Sequence, residues 1–292
     1  MIFSIRLTIT HSYAQAAANG RHLIRVLPRT IPQRQHLSTH HLDITPAPDA
    51  RSTRVDFFGN ATTSCTHAAP HGQMSITLAC HVEMAPPQPW LDISPPVAAL
   101  RSGWAQGRDL GADAPVHFMG PAPRLRADAA ISAFARDLHD PAATAAATVI
   151  RLGAALHARM TFDATATTVD TDPSEAFALA RGVCQDFSHI MILGLQALGI
   201  PAGYVSGYLR TRPPEGGVRL AGVDAMHAWV RAWCGPDQGW IEYDPTNATL
   251  VGNDHIVVGY GRDYGDIAPL SGQLRAAGGQ RNTQAVDVVV LR

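Results

Sequence analysis

The chain contains no lysine: all 23 basic residues are arginine, so it offers no lysine amine of its own. Net charge is nearly absent as well. The 23 arginines meet 24 acidic residues, leaving a formal charge of -1 and no long-range field to gather nucleic acid or an anionic membrane. Long apolar runs are missing. The stretch 190–200 is interrupted by Gly194, Gln196 and Gly199 and falls short of the ~20 residues that a membrane helix needs. Cysteines are few: Cys65, Cys80, Cys184 and Cys234 are too scattered for a disulfide scaffold and form no Cys-x-x-Cys pair, so reduced thiols are expected. Charged residues make up only 16% against a usual ~25%, while 46% are hydrophobic, which provides a sizeable core and excludes wholesale disorder.

With 292 residues, about two domains are expected at ~150 residues each. The opening stretch alternates Phe3, Ile5, Leu7 and Ile9 with Arg6, Thr8 and Thr10. That is strand periodicity, without the continuous apolar block of a signal peptide, and a cytoplasmic protein is the expectation. Similar alternation recurs around residues 22–27, at Val55 and Phe57, and at Met74, Ile76 and Leu78, separated by proline and glycine turns. Residues 1–85 therefore read as a β-rich, sandwich-like domain. Five prolines between 86 and 96 make 86–123 a connecting segment with little regular structure. The period then changes to that of helices, and 124–292 reads as a helical lead-in followed by a second core, an α+β arrangement. Asp128 is placed to cap the first of these helices, and Pro141 separates it from the second.

Asp172-Pro173-Ser174-Glu175 combines an N-cap acid with a proline at the first helical position, predicting a short helix to about Ala180 that stops by Gly182. A second helix then opens at Cys184 and keeps Phe187, Ile190, Met191 and Leu195 on one face until Gly199 and Pro201. Cys184 thus occupies a first turn, where free N–H groups and the helix dipole favour a thiolate and can receive a developing oxyanion. A small buried core cysteine would also suit that position.

Residues 227–233 alternate His227, Trp229, Arg231 and Trp233 against Ala228, Val230 and Ala232. After a turn at 235–239, residues 240–244 alternate again and end at Asp244-Pro245. A hairpin of this kind sets His227 and Asp244 on adjacent strands, where the carboxylate can accept an imidazole N–H and fix which ring nitrogen faces a thiol.

Three ordered motifs now stand together: Gly-Val-Cys-Gln-Asp-Phe-Ser-His at 182–189, His-Ala-Trp at 227–229, and Asp-Pro-Thr-Asn at 244–247. In these the chain resembles the bacterial transglutaminase-like family. The likeness extends to 203–209 and 261–266, and in the β-rich half to Leu27-Pro28-Arg29 and Asp56-Phe57-Phe58-Gly59-Asn60. It implies a papain-like core, with the thiol on a central helix packed against an antiparallel sheet. Cys184 would be the nucleophile, His227 the general acid and base, and Asp244 the orienting carboxylate. Gln185, Trp229, Arg262, Asp263 and Tyr264 are the residues it suggests for substrate binding. The reaction implied is acyl transfer on an amide of a peptide, protein or small molecule through a thioester, by hydrolysis or by transfer to an amine, with no cofactor. A non-catalytic peptide-binding module on the same fold is the alternative. Arg231 stands where many relatives carry an acid, and only the Cys184 backbone N–H is identifiable as an oxyanion donor.

Other residues have plainer readings. His189, about 500° around the helix from Cys184, points away from the thiol and is expected to be a structural hydrogen-bonding histidine. Asp186 is expected to meet N–H groups at the helix end. Cys65-x-His67-x-x-x-His71 with Cys80-His81 has zinc-binding residue types, but its turn-rich surroundings suggest a solvated surface, and no metal is expected.

Overall fold

The computed structural model describes residues 1–87, 89–105, 107–211 and 225–291. The first half is built around one long strand. β1 (Ile2–Ile24) is flanked by β2 (Gln35–Thr45), β3 (Ala50–Val55), β4 (Ala61–His67) and β5 (His71–Met84) in the order β2-β5-β1-β4-β3. The initial alternation makes β1 central: Phe3, Ile5 and Leu7 are buried between β5 and a strand from the other end of the chain.

The segment after β5 contains α1 (Val97–Ala105) and a 3-10 turn (Pro115–Phe118), more regular structure than its prolines suggested. The prolines cluster before α1, with Pro96 directly at its entrance, where a missing N–H costs a helix nothing. α2 (Ala129–Leu138) follows Asp128, whose carboxylate accepts from the Ile131 N–H at 2.8 Å, and α3 (Ala145–Arg159) is capped by Thr144. β6 (Thr161–Phe162) pairs in parallel with β7 (Arg181–Gly182), and between them lies α4 (Pro173–Leu179), capped by Asp172 and closed by Ala180 in the left-handed region. α5 (Cys184–Ala197) is the central helix.

α5 packs on an antiparallel sheet formed by β8 (Ala202–Leu209), β9 (Ala225–Trp233), β10 (Trp240–Asp244), β11 (Thr249–Leu250) and β12 (His255–Gly261), in the order β11-β10-β9-β8-β12. Ala228, Val230 and Ala232 share a core with Phe187, Ile190, Met191 and Leu195, the face that the helical spacing marked. No helix among the described residues is long and apolar enough to cross a membrane.

The short helix α6 (Tyr264–Ile267) leads to β13 (Leu270–Arg275) and β14 (Gln280–Val290), which return to the first sheet. β14 pairs with β1 from Phe3↔Val290 to Tyr13↔Gln280, and β13 pairs with its far end. The sequence places 124–292 together as a helical lead-in and a second core. The last two strands nevertheless build the other unit, because Val286 and Val288 complete a core that β1 cannot fill alone.

The two halves meet along β12, an edge strand whose N–H and C=O groups would otherwise be open. Gln35 donates to the Val257 carbonyl and accepts from its N–H, both at 2.8 Å. Asn60 does the same to Tyr260, at 2.7 and 2.8 Å, and the Arg29 N–H reaches the Val257 carbonyl at 2.9 Å. Tyr208, Ile256 and Val258 insert into the β-rich core.

Glu242 on β10 is buried across the same seam. Burial alone would push its pKa up, but the Arg34 charge together with the hydrogen bonds from Arg34, Trp229 and Tyr260 keeps it below the ordinary glutamate value. Arg34 grips it at 2.5 and 2.9 Å, Trp229 donates at 2.7 Å and Tyr260 at 3.0 Å. Arg34→Met leaves a buried carboxylate without its cation. Because the Arg34 side chain is 32% exposed, the loss is set below the usual figure for a broken buried pair, at about 2–4 kcal/mol. The urea midpoint of the variant checks this, and an unchanged midpoint would refute it.

Candidate active site

Cys184 stands at the first position of α5 because the chain before it is pinned from two sides. Thr161 and Phe162 hold Arg181 and Gly182 in the β6–β7 pairing. Asp186 reaches back to accept the Val183 N–H at 2.8 Å while the Thr167 hydroxyl donates to the same oxygen at 2.6 Å. This is the helix-end role expected of Asp186. Gly182 makes it feasible, since a β-carbon there would lie 2.4 Å from that carboxylate oxygen. Cys184 itself is only partly buried. As the first residue of the helix its N–H has no intrahelical acceptor.

His227 is delivered from the start of β9 and Asp244 from the end of β10, adjacent antiparallel strands as the hairpin predicted. The His227 Nε2–H donates to Asp244 Oδ2 at 2.8 Å, which leaves Nδ1 for the Cys184 thiol. Burial would push the imidazole down. The Cys184 charge, together with hydrogen bonds to Asp244 and to Cys184, overcomes this and lifts it to about 10. The structure therefore brings thiol, imidazole and carboxylate together in sequence.

Asp244 has a second histidine, absent from the sequence reading. His255 on β12 donates Nε2–H to the same Oδ2 at 3.0 Å, while its Nδ1 faces the Gly252 N–H at 3.5 Å. Asp244 also accepts from the N–H groups of Thr246 and Asn247, at 2.9 and 3.2 Å, and from the Asn247 side chain at 2.7 Å. Burial works to push its pKa up, but the bonds from His227, His255 and Asn247 and the His227 charge prevail and hold the carboxyl well below the usual range. The separations of 2.8 and 3.0 Å are those of N–H···O bonds, so this cluster of two histidines and a carboxylate is satisfied as a hydrogen-bonded network.

The residues expected around the substrate have varied fates. Trp229 is fully buried and cannot touch a substrate: its ring packs 6.1 Å from that of His227 and 5.2 Å from that of His255, and its N–H is spent on Glu242. It serves as a floor beneath both imidazoles, and Gly207 admits it, because a β-carbon there would meet the indole at 2.3 Å. Gln185 is buried and donates to the Val169 carbonyl at 3.1 Å. Asp263 is buried too. It caps α6 through the Gly265 N–H and takes the Arg124 N–H, both at 2.8 Å. Arg262 is paired with Asp266 at 2.8 and 3.0 Å and borders a cavity of about 520 Å³ with Phe57, Phe58 and His117, whose lining includes neither Cys184 nor His227. Tyr264 remains half-exposed near the thiol: burial and the Cys184 charge both raise its phenol, as they do that of the buried Tyr204.

His189 is structural, as its rotation on α5 predicts. It is buried against Tyr204 at 5.2 Å and accepts the Tyr264 N–H at 3.2 Å, and burial pushes it down to about 3. Arg231 is buried among Phe118, Trp240 and Tyr260, each 4.2–4.5 Å away, with one nitrogen on Asp113 at 2.9 Å.

Comparison with known proteins agrees with this fold. Residues 132–245 match the model of the transglutaminase-like superfamily, and residues 3–83 match that of the bacterial transglutaminase-like N-terminal region. An uncharacterised Mycobacterium tuberculosis protein is 35% identical over 269 residues, covering 90% of this chain and 82% of its own. An uncharacterised Mycobacterium leprae protein is 31% identical, covering 98% and 97% respectively. The crystal structure of a Cytophaga hutchinsonii protein, provisionally described as a cysteine protease, superposes with a TM-score of 0.75 at 20% identity, covering 100% of this chain and 91% of that one. With a cysteine-bearing helix on an antiparallel sheet and a β-rich unit before it, the chain belongs to the transglutaminase-like superfamily.

Proposed function

We propose that the chain is a cysteine-dependent enzyme that transfers the acyl group of an amide through a thioester on Cys184. The supporting observation is that one imidazole, His227, engages the Cys184 thiol on one side and Asp244 at 2.8 Å on the other. The thiolate attacks the amide carbonyl, and the developing oxyanion meets the N–H of Cys184 at the start of α5. His227, carrying the proton, passes it from Nδ1 to the departing amine as the C–N bond breaks. The imidazole then takes a proton from water, or from a second amine, as that nucleophile displaces the sulfur. Water gives peptidase or amidase chemistry and an amine gives acyl transfer. Asp244 keeps Nε2 protonated throughout, so Nδ1 remains the atom that shuttles the proton.

The test is trapping. Wild-type protein and Cys184→Ala are incubated with peptide and amide libraries, with and without added primary amines, and residue 184 is mapped by mass spectrometry. An acyl adduct on the wild type only is expected, and it identifies the donor, while the amine arm reports the acceptor. Peptide retention without any adduct would replace the proposal with a binding module.

A further inference from the structure

The β-rich half buries a second cluster of chemically capable side chains that the acyl-transfer site does not use. The β1–β4 register sets His22 opposite Cys65 and Gly20 opposite His67. Cys65 and His67 are two apart on β4, so all three side chains project from the same face. That face is not the solvated surface suggested by the turn-rich sequence: Cys65 is 2%, His67 3% and His22 5% exposed. One ligand-type atom from each lies within 4.8 Å of the other two.

The hydrogen bonding around these rings is one-sided. Both nitrogens of His22 are buried without a partner, as are Nδ1 of His67 and Nε2 of His71. His67 donates its other ring nitrogen to the Pro46 carbonyl at 2.8 Å, and Nδ1 of His71 faces the Ala69 carbonyl at 3.1 Å. An imidazole tied to a carbonyl at one nitrogen and bare at the other is the arrangement of a metal-ligating histidine, whose backbone bond fixes the tautomer and aims the lone pair. The His67 ring lies 6.1 Å from His22 and 5.1 Å from His71. The His22 ring is held between two glycines, since a β-carbon on Gly20 or Gly272 would come within 2.8 or 2.9 Å of it. Each buried, unmatched polar atom forfeits its hydration with nothing in return, so such a cluster is costly unless something occupies it.

We propose that His22, Cys65 and His67 bind a borderline-soft transition cation of the zinc class, with His71 approaching as the fourth ligand. Two or three imidazoles and one thiolate suit such an ion and not the oxygen-seeking magnesium or calcium. Donors around zinc at ~2.0–2.3 Å stand about 3.3–3.8 Å apart, so binding draws the three side chains inward by small χ rotations. Cys65 loses its proton to solvent as the S–metal bond forms, and each ion bound releases one proton. The site would clamp β1 to β4 and β5, some distance in sequence from every residue of the acyl-transfer site.

Cobalt is the direct probe. Chelator-treated full-length protein titrated with Co²⁺ is expected to develop a thiolate-to-cobalt charge-transfer band at one equivalent, which Zn²⁺ abolishes. Cys65→Ser should lose the band, and His71→Ala should bind at least tenfold more weakly. Asp244→Asn should leave the band intact, which separates this site from the His227–Asp244–His255 cluster. Isothermal titration in buffers of different ionisation enthalpy reads the proton. No band in the wild type, or a band surviving in Cys65→Ser or lost in Asp244→Asn, would overturn the assignment. Should Cys65→Ser fail to fold, the wild-type band together with the His71→Ala shift decides it.

Discussion

Replacing His227 with alanine is expected to slow iodoacetamide alkylation of Cys184 at pH 6 by about 10²-fold or more, bringing it down to the pace of an ordinary thiol. In the native protein Cys184 should label far ahead of the other three cysteines. Cys65, Cys80 and Cys234 are buried, and burial pushes all three thiols up, that of Cys80 to about 12. Only Cys184 combines access with an imidazole drawn toward the protonated state beside it. Thiolate is the reacting species, and a neighbouring imidazolium favours it. Pulse alkylation followed by peptide mapping gives all four rates in one experiment. Equal labelling of the four in the native protein would remove the basis for the enzyme reading.

Asp244→Ala should be the most damaging single change in the site, costing about 3–5 kcal/mol of stability and reducing acyl transfer by about 10²–10⁴-fold. Five donors converge on this buried carboxylate, two of them imidazoles, and its removal strands them in a dry interior. The pH dependence follows from the two coupled shifts. The folded carboxyl titrates below its unfolded value near 3.8, so its contribution is present above that pH and is lost as pH falls through the folded value. The His227 imidazole titrates at about 10 folded against 6.5 unfolded. Its contribution is complete below 6.5 and declines as pH rises toward 10. Urea midpoints measured across pH should show both limbs. Asp244→Asn is expected to flatten the acid one and His227→Gln the alkaline one, and a wild-type profile level from pH 6.5 to 10 would refute the second assignment.

Much of the site can be read locally. An N-cap acid, a proline and a glycine before Cys184 announce a helix, a turn and a second helix, and each of these signals is short in range. Alternation in 227–233 and 240–244 likewise defines a hairpin and the shared face of His227 and Asp244. His255 escapes such reasoning because β12 is buried along its whole length and shows no alternation. Its only cue is a histidine 11 residues beyond Asp244, after an Asn-Asp turn, and its partner is reached across β8 and β9 in the sheet. Trp229 shows the converse difficulty. Parity places it on the His227 face, but whether that face is open depends on Val205, Val257 and Tyr260 from other strands. The destination of β14 is equally a long-range matter, set by what the far side of β1 leaves uncovered.

Gln35 and Asn60 give the β12 edge what a sixth strand would give, with side-chain amides standing in for a peptide backbone. A recombinant fragment cut near residue 123 would therefore leave with a bare, ready-made template for strand addition along 255–261. It would also carry β13 and β14 with no β1 to receive them. The β-rich half in this sense blunts an edge that is otherwise open to pairing with another copy.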